Sequence, residues 1–195
     1  MSYMVLGLTG QAQAGKDTVA DIIRQLYSRS PIDVHKLALA DPVKDATAAM
    51  FGVNRQLLDT QDGKASYDEE WGLTIREMAQ LVGTEVGRNI RSDLWLKRWM
   101  MDAERIIADL LTPNLIIVPD VRYLNEAKML RDHYDTTIVK IVRPDIESED
   151  THESEQITVV PDETIINDGH VGDLEELVDC LLVDLHHKIK HKLEI

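Results

Sequence analysis

The chain has 195 residues, 44% of them hydrophobic, enough for one domain with a substantial core. Its 35 acidic and 21 basic residues leave a formal net charge of −14, which argues against a nucleic-acid polymer as partner, because such binders present a basic face. The single cysteine, Cys180, excludes an internal disulfide, and no apolar run approaches the roughly 20 residues that span a bilayer, so a cytoplasmic protein away from membranes is expected.

Tyr3 to Leu8 is apolar without strict alternation, the pattern of a short buried strand. From Lys16 the period changes, and Val19, Ile22, Ile23 and Leu26 recur as one face of a helix. Val34 to Ala40 predicts a second strand, which runs into a helix capped by Asp41, with Pro42 in its first turn and Gly52 as its stop. Asn54 to Trp71 is polar and irregular. Thr74 to Glu77 then has capping-box spacing, opening a helix with Ile75, Met78 and Val82 inward.

A longer helix is expected from about Ser92 to Leu111, with Trp95 and Trp99 on one face. Leu115 to Pro119 reads as a buried strand followed by a helix, and Thr136 to Arg143 as another strand. An acidic stretch poor in core residues follows Arg143. A last strand falls in Glu163 to Asp168, and a closing amphipathic helix starts near Asp173. His186, His187 and His191 lie among Lys188, Lys190 and Lys192, as cations at a helix C-terminus do. Strands alternating with helices predict an α/β domain across 1–195, a parallel sheet covered by helices on both faces, with ligands at the carboxyl ends of the strands.

Gly10 to Lys16 satisfies G-x-x-x-x-G-K between a predicted strand and a predicted helix. Glycines there let backbone N–H groups turn toward phosphate oxygens, the helix N-terminus adds partial positive charge, and Lys16 reaches the outer phosphates. Asp17 stands where a hydroxyl usually holds Mg²⁺, and Thr18 comes one place later. A carboxylate suits a hard cation directly or through water, so either residue could hold the metal. Asp120, after the strand at 115–119, reads either as an acidic group near that metal or as the N-cap of the next helix.

"GKDTVADII", "LALADPVKD", "REMAQLVGTEVGR", "DVRYLNEA", "THESEQ" and "TIINDG" occur in an order that resembles the deoxynucleoside monophosphate kinases of bacteriophages. The chain also resembles, more distantly, dephospho-CoA kinase and other nucleotide kinases. The resemblance runs from Met4 to about Leu177 and is most specific in "QLVGTEVGR" and "HESE". It implies a P-loop nucleotide-kinase fold with an acceptor-binding helical region at about 41–100 and a lid at about 144–161. It further implies ATP and Mg²⁺ on the donor side and a deoxynucleoside 5′-monophosphate as acceptor.

On that resemblance, Gly10, Ala14, Gly15, Lys16, Asp17, Thr18, Asn167 and Gly169 are expected around ATP, and Asp17, Thr18 and Asp120 near the metal. Lys16, Arg122 and Arg143 are expected at the transferring phosphoryl group, and Asp41, Lys44, Arg76, Arg88, Arg91, Trp95 and Glu153 around the acceptor. The lid carries no arginine between Pro144 and Pro161, which leaves Arg143 as its one candidate guanidinium. Small-molecule nucleotides are the expected partners, with a homodimer as the commonest assembly, in the host cytoplasm if the gene is a phage's. Another small-molecule kinase is the near alternative, and a regulatory P-loop NTPase the distant one.

Overall fold

The computed structural model describes residues 3–108, 113–144 and 159–193, with side chains described except at 88 and 184–193. A five-stranded, wholly parallel sheet is built around β1 (Tyr3–Thr9), in the order β2 (Asp33–Lys36), β5 (Asn114–Val118), β1, β6 (Thr136–Val142), β7 (Glu163–Ile166). Gly7 pairs in register with Val118 on one side and Ile138 on the other. Successive connections from the centre run first to one side of β1 and then to the other, which opens a crevice at the carboxyl ends of the strands.

Alternation along β1 explains why both faces are covered. Met4, Leu6 and Leu8 join Leu115, Ile117, Val139, Ile141 and Ile165 in one core. That core is closed by Val19, Ala20, Ile22 and Ile23 of α1 (Lys16–Leu26) and by Leu174, Val178 and Leu182 of α8 (Val171–Leu193). On the opposite face, a Cβ at Gly7 would lie 3.1 Å from Val121, 3.3 Å from Ile138 and 3.8 Å from Leu130 of α7 (Leu124–His133). The absent side chain lets that layer approach closely.

The chain divides into two compact units, Met1–Ala38 with Ala103–Ile195, and Leu39–Asp102. The second holds α2 (Asp41–Phe51), α3 (Gln61–Ala65), a hairpin of β3 (Tyr67–Asp68) and β4 (Leu73–Thr74), α4 (Ile75–Gln80), α5 (Gly87–Ile90) and most of α6 (Leu94–Ile107). Its own core is Leu58, Ile75 and Met78, with Phe51, Leu57 and Leu73 packed on them. The capping box is present: Glu77 N–H donates to Thr74 Oγ1 at 3.2 Å, and Thr74 N–H to Glu77 Oε2 at 2.7 Å.

Between α4 and α5, residues Leu81–Val86 form a π-helical turn, with Gly87 N–H donating back to Val82 O. A widened turn tips its carbonyls outward, and side chains satisfy several of them. Thr84 Oγ1 donates to Gln80 O at 2.6 Å, Trp95 Nε1 to Gly83 O at 2.9 Å and Asn89 Nδ2 to Glu85 O at 2.5 Å.

Several expectations are corrected. β2 stops at Lys36 rather than Ala40, because it is an edge strand whose partner β5 ends at Val118 before Pro119. Leu26 is 46% exposed; the chain tightens there into a 3₁₀ turn, and Tyr27 fills the core in its place. Asp41 does not cap α2, whose N-cap is Ala40; its carboxylate is drawn instead to the Arg55 guanidinium at 2.8 Å. Nor does Asp120 cap α7, whose N-cap is Tyr123, three residues further on. The stretch 54–71 contains short ordered pieces too brief to show a period. The lid at 144–161, including the His152–Glu155 element, lies outside the described residues but for its edges, as does the expected helix end at Leu111.

Candidate active site

β1 ends at Thr9, and the chain curls at once. Gly10 (φ +146°), Gln13 (φ 62°) and Gly15 (φ +101°) all take left-handed backbone conformations. Such residues interleaved with right-handed ones turn successive N–H groups toward one concave side. Neither glycine could carry a side chain without a shift: a Cβ at Gly10 would strike the Ile141 carbonyl oxygen, and one at Gly15 would stand 2.7 Å from Asn167 Nδ2. α1 follows with Gly15 as N-cap and no side chain capping it. The positive end of the helix dipole therefore points at the loop, the setting in which helix N-termini receive anions.

The loop opens on a cleft of about 460 Å³ at the carboxyl ends of the adjacent strands β1, β6 and β7. Gln13, Gly15, Lys16, Asp17 and Thr18 line it from the loop and α1, Arg143 from the end of β6, and Asn167, Gly169 and His170 from the segment after β7. Lys16 Nζ donates to Gly10 O at 2.8 Å and Gln11 O at 2.6 Å, so the ammonium is held over the loop it serves. Asn167 Nδ2 donates to Ala14 O at 3.0 Å while its own N–H donates to Val142 O at 2.7 Å. One side chain thus ties the β7 segment to the loop. Asp173 Oδ2 accepts from His170 N–H at 2.7 Å, and a Cβ at Gly169 would collide with that carboxylate, which explains the glycine.

Asp17 and Thr18 both border this cleft and both offer oxygen, the donor type that a hard divalent cation prefers. Among the described residues no group of three His, Cys, Asp or Glu gathers into a cage. Mg²⁺ fits such a site on the usual terms, through one or two protein oxygens together with phosphate and water. Asp17 already has a cationic neighbour, Lys36 Nζ, at 2.7 Å.

The loop after β5 holds Asp120 and Arg122. Neither lines the cleft described above. Its shape is set by a residue not singled out from the sequence: Glu126 Oε2 accepts from the N–H groups of Arg122 at 2.8 Å and Tyr123 at 3.0 Å. Burial pushes the Glu126 carboxyl above its ordinary range, Asp120 adds to the rise, and the two N–H groups and the Arg122 charge oppose it. Four residues separate Glu126 from Arg122, helical spacing that was legible but had no motif to mark it.

The acceptor candidates Asp41, Lys44, Arg76, Arg91 and Trp95 belong to the 39–102 unit. Lys44 Nζ sits 2.9 Å from Asp59 and 3.4 Å from Asp41, while Arg55 reaches Asp45 at 2.6 Å, Asp59 at 2.8 Å and Asp41 at 2.8 Å. Burial alone would raise Asp59, but bonds from Arg55 and Lys44 hold its carboxyl below the ordinary range. Arg55 was not anticipated, because its three carboxylates come from two separate segments. Arg76 Nη2 donates to Gln61 Oε1 at 2.9 Å, and Arg91 pairs with Asp93. Trp95 lies half-buried against Gly87, whose Cβ would run into the indole, and Trp99 is buried. Glu153 and the Arg88 side chain lie outside the described residues.

Solved structures share this architecture at low sequence identity. The Mycobacterium tuberculosis APS kinase solved with AMPPNP and APS matches over 93% of this chain and 98% of its own, at TM-score 0.52 and 14% identity. A Thermus thermophilus protein matches over 95% and 99%, at TM-score 0.55 and 16% identity. With the glycine-bent loop at the end of β1, that likeness shows an α/β fold of the P-loop type. The family model described as deoxynucleotide monophosphate kinase matches residues 57–178. A protein of Acanthamoeba polyphaga mimivirus that carries the family's name is 32% identical, over 78% of this chain and 80% of its own length. The deoxynucleoside-5′-monophosphate kinase of Escherichia phage T5 is 26% identical, over 73% and 78%. The chain belongs to the deoxynucleotide monophosphate kinase family.

Proposed function

We propose that the chain transfers the γ-phosphoryl group of ATP to a deoxynucleoside 5′-monophosphate, giving the diphosphate and ADP. The observation that carries this reading is the uncapped start of α1 behind a glycine-bent loop, with Lys16 and Arg143 on the same cleft, in a chain of this family. An oxygen of the acceptor phosphate attacks the γ-phosphorus while the bond to the β–γ bridging oxygen breaks, and ADP leaves. Little covalent work falls to the protein; it must position two anions and neutralise the charge that spreads over the moving group.

The loop N–H groups and Lys16 bind the donor's phosphates, and Arg143 draws charge from the group in transit. Asn167 and Gly169 border the donor's other end. Asp17 or Thr18 holds Mg²⁺, with Asp120 as a more distant carboxylate; when bound, the ion neutralises phosphate oxygens. Asp41, Lys44, Arg76, Arg88, Arg91, Trp95 and Glu153 serve the acceptor, and Arg122 joins Arg143 at the reacting phosphate. Free nucleotides rather than a polymer are the partners, in the cytoplasm; no helix among the described residues is long and apolar enough to cross a membrane.

Labelled ATP offered with deoxynucleoside monophosphates, ribonucleoside monophosphates or dephospho-CoA tests the assignment. Label transfer to a deoxynucleotide is the expected outcome. Transfer only to dephospho-CoA, or hydrolysis at one rate with and without any acceptor, would overturn it. Lys16→Ala should lower kcat by about 10²–10³-fold, the scale of losing one major donor to a developing oxyanion, and near-normal turnover would refute the loop's role.

A further inference from the structure

An acidic residue directly after the phosphate-loop lysine raises an electrostatic problem that the fold answers with Lys36. Asp17 and Asp21 are four residues apart on the first turns of α1, and so share a face of the helix that receives the donor's phosphates. A carboxylate in that position suits the helix dipole when no ligand is present, but it confronts a polyanion once one arrives. Lys36, the last residue of β2, places Nζ 2.7 Å from Asp17 and 3.8 Å from Asp21. The lysine side chain is 28% exposed against 80% for Asp17 and 63% for Asp21, so the cation is the anchored member and the carboxylates are held by it. Asp17 lines the cleft and Lys36 does not. Of the three charged groups, Asp17 is the one that reaches the cleft.

We propose that Lys36 is a positioning residue for donor binding: by holding the Asp17 carboxylate at the rim and compensating it together with Asp21, it lets an acid follow Lys16 without repelling the phosphate chain. The inference rests on the reading that ATP binds this cleft. Freed from Lys36, Asp17 swings toward the phosphates. It then repels metal-free ATP, whereas Mg·ATP, which brings its own cation, is affected less.

Calorimetric affinities for ATP in EDTA and for Mg·ATP test this in wild type, Lys36→Met, Lys36→Arg, Asp17→Asn and the Asp17→Asn/Lys36→Met double variant. Lys36→Met should weaken metal-free ATP by about five- to tenfold at low salt, and by less at about 0.3 M salt, where surface charges are screened. The loss for Mg·ATP should stay within about twofold, Lys36→Arg should bind within about twofold of wild type, and with Asp17→Asn in place Lys36→Met should cost no more than about twofold. Equal losses for ATP and Mg·ATP would mean general damage, and an undiminished loss beside Asp17→Asn would mean a direct contact; either overturns the proposal. Wild type that binds ATP beside an unaffected Lys36→Met variant overturns this inference alone, whereas wild type that binds no ATP in either form overturns the donor reading with it.

Discussion

Glu126 shows how one side chain can shape the site without a motif to announce it. Its carboxylate gathers the N–H groups of Arg122 and Tyr123 in a half-buried position, and burial raises its pKa in the folded state, making it a weaker acid. A folded carboxyl that keeps its proton more tightly than the unfolded one contributes most stability below the ordinary value of 4.5, and loses that contribution as pH rises through the raised value. Glu126→Gln keeps an acceptor for both N–H groups and removes the titration. Melting temperatures of the two proteins across that window should diverge, wild type falling relative to the variant as pH rises; parallel curves would refute the assignment. The glycines at 10 and 15 were legible because their spacing is local. The meeting of Asp17 with Lys36 was not, because nineteen residues and a strand crossover separate them.

At the scale of elements, some end signals were readable and others were not: the Thr74 box and the Gly52 stop fall where the sequence puts them, whereas neither Asp41 nor Asp120 caps its helix. The capping box at Thr74 and Glu77 opens α4 where the spacing predicts. The backbone N–H and hydroxyl of Thr74 hold the Glu77 carboxyl below its ordinary value of 4.5. A lowered folded value means that the contribution is present above the ordinary one and fades as pH falls through the folded one. Thr74→Ala should therefore lower the denaturant midpoint at neutral pH, with a gap to wild type that narrows in acid; a gap independent of pH would count against the box. Ile75, Met78 and Val82 are inward as their period predicts. The π turn after Gln80 left no trace in that period. Its mark was the pair Gly83 and Gly87, packed against Val43 and the Trp95 indole respectively.

Over the whole molecule, a net charge of −14 sets a background of self-repulsion. Raising salt from about 10 mM to about 200 mM shortens the Debye length from roughly 30 Å to under 10 Å, and the melting temperature should rise in consequence. A fall would show that the ion pairs around Arg55 and Lys36 outweigh the general repulsion. Alternation of strand and helix patterns foretold a parallel sheet covered on both faces, because each buried strand needs two apolar layers. The order β2-β5-β1-β6-β7 was beyond reach, since no local signal records which distant strand lies next to which. The cleft was legible in outline for the same reason that it exists: strand ends carry the polar residues that the sheet interior cannot.

The six-residue turn at Leu81–Val86 also keeps a phase. In an ordinary helix each residue advances the chain by about 100°, so deleting one position there would let α4 and α5 join as a single regular rod. Five residues at that advance sweep about the angle that the six of the wide turn do, so side chains beyond the splice would keep nearly their present bearing. The extra position is taken up as width and outward-tipped carbonyls, and the helix pair keeps the bearing of an uninterrupted rod.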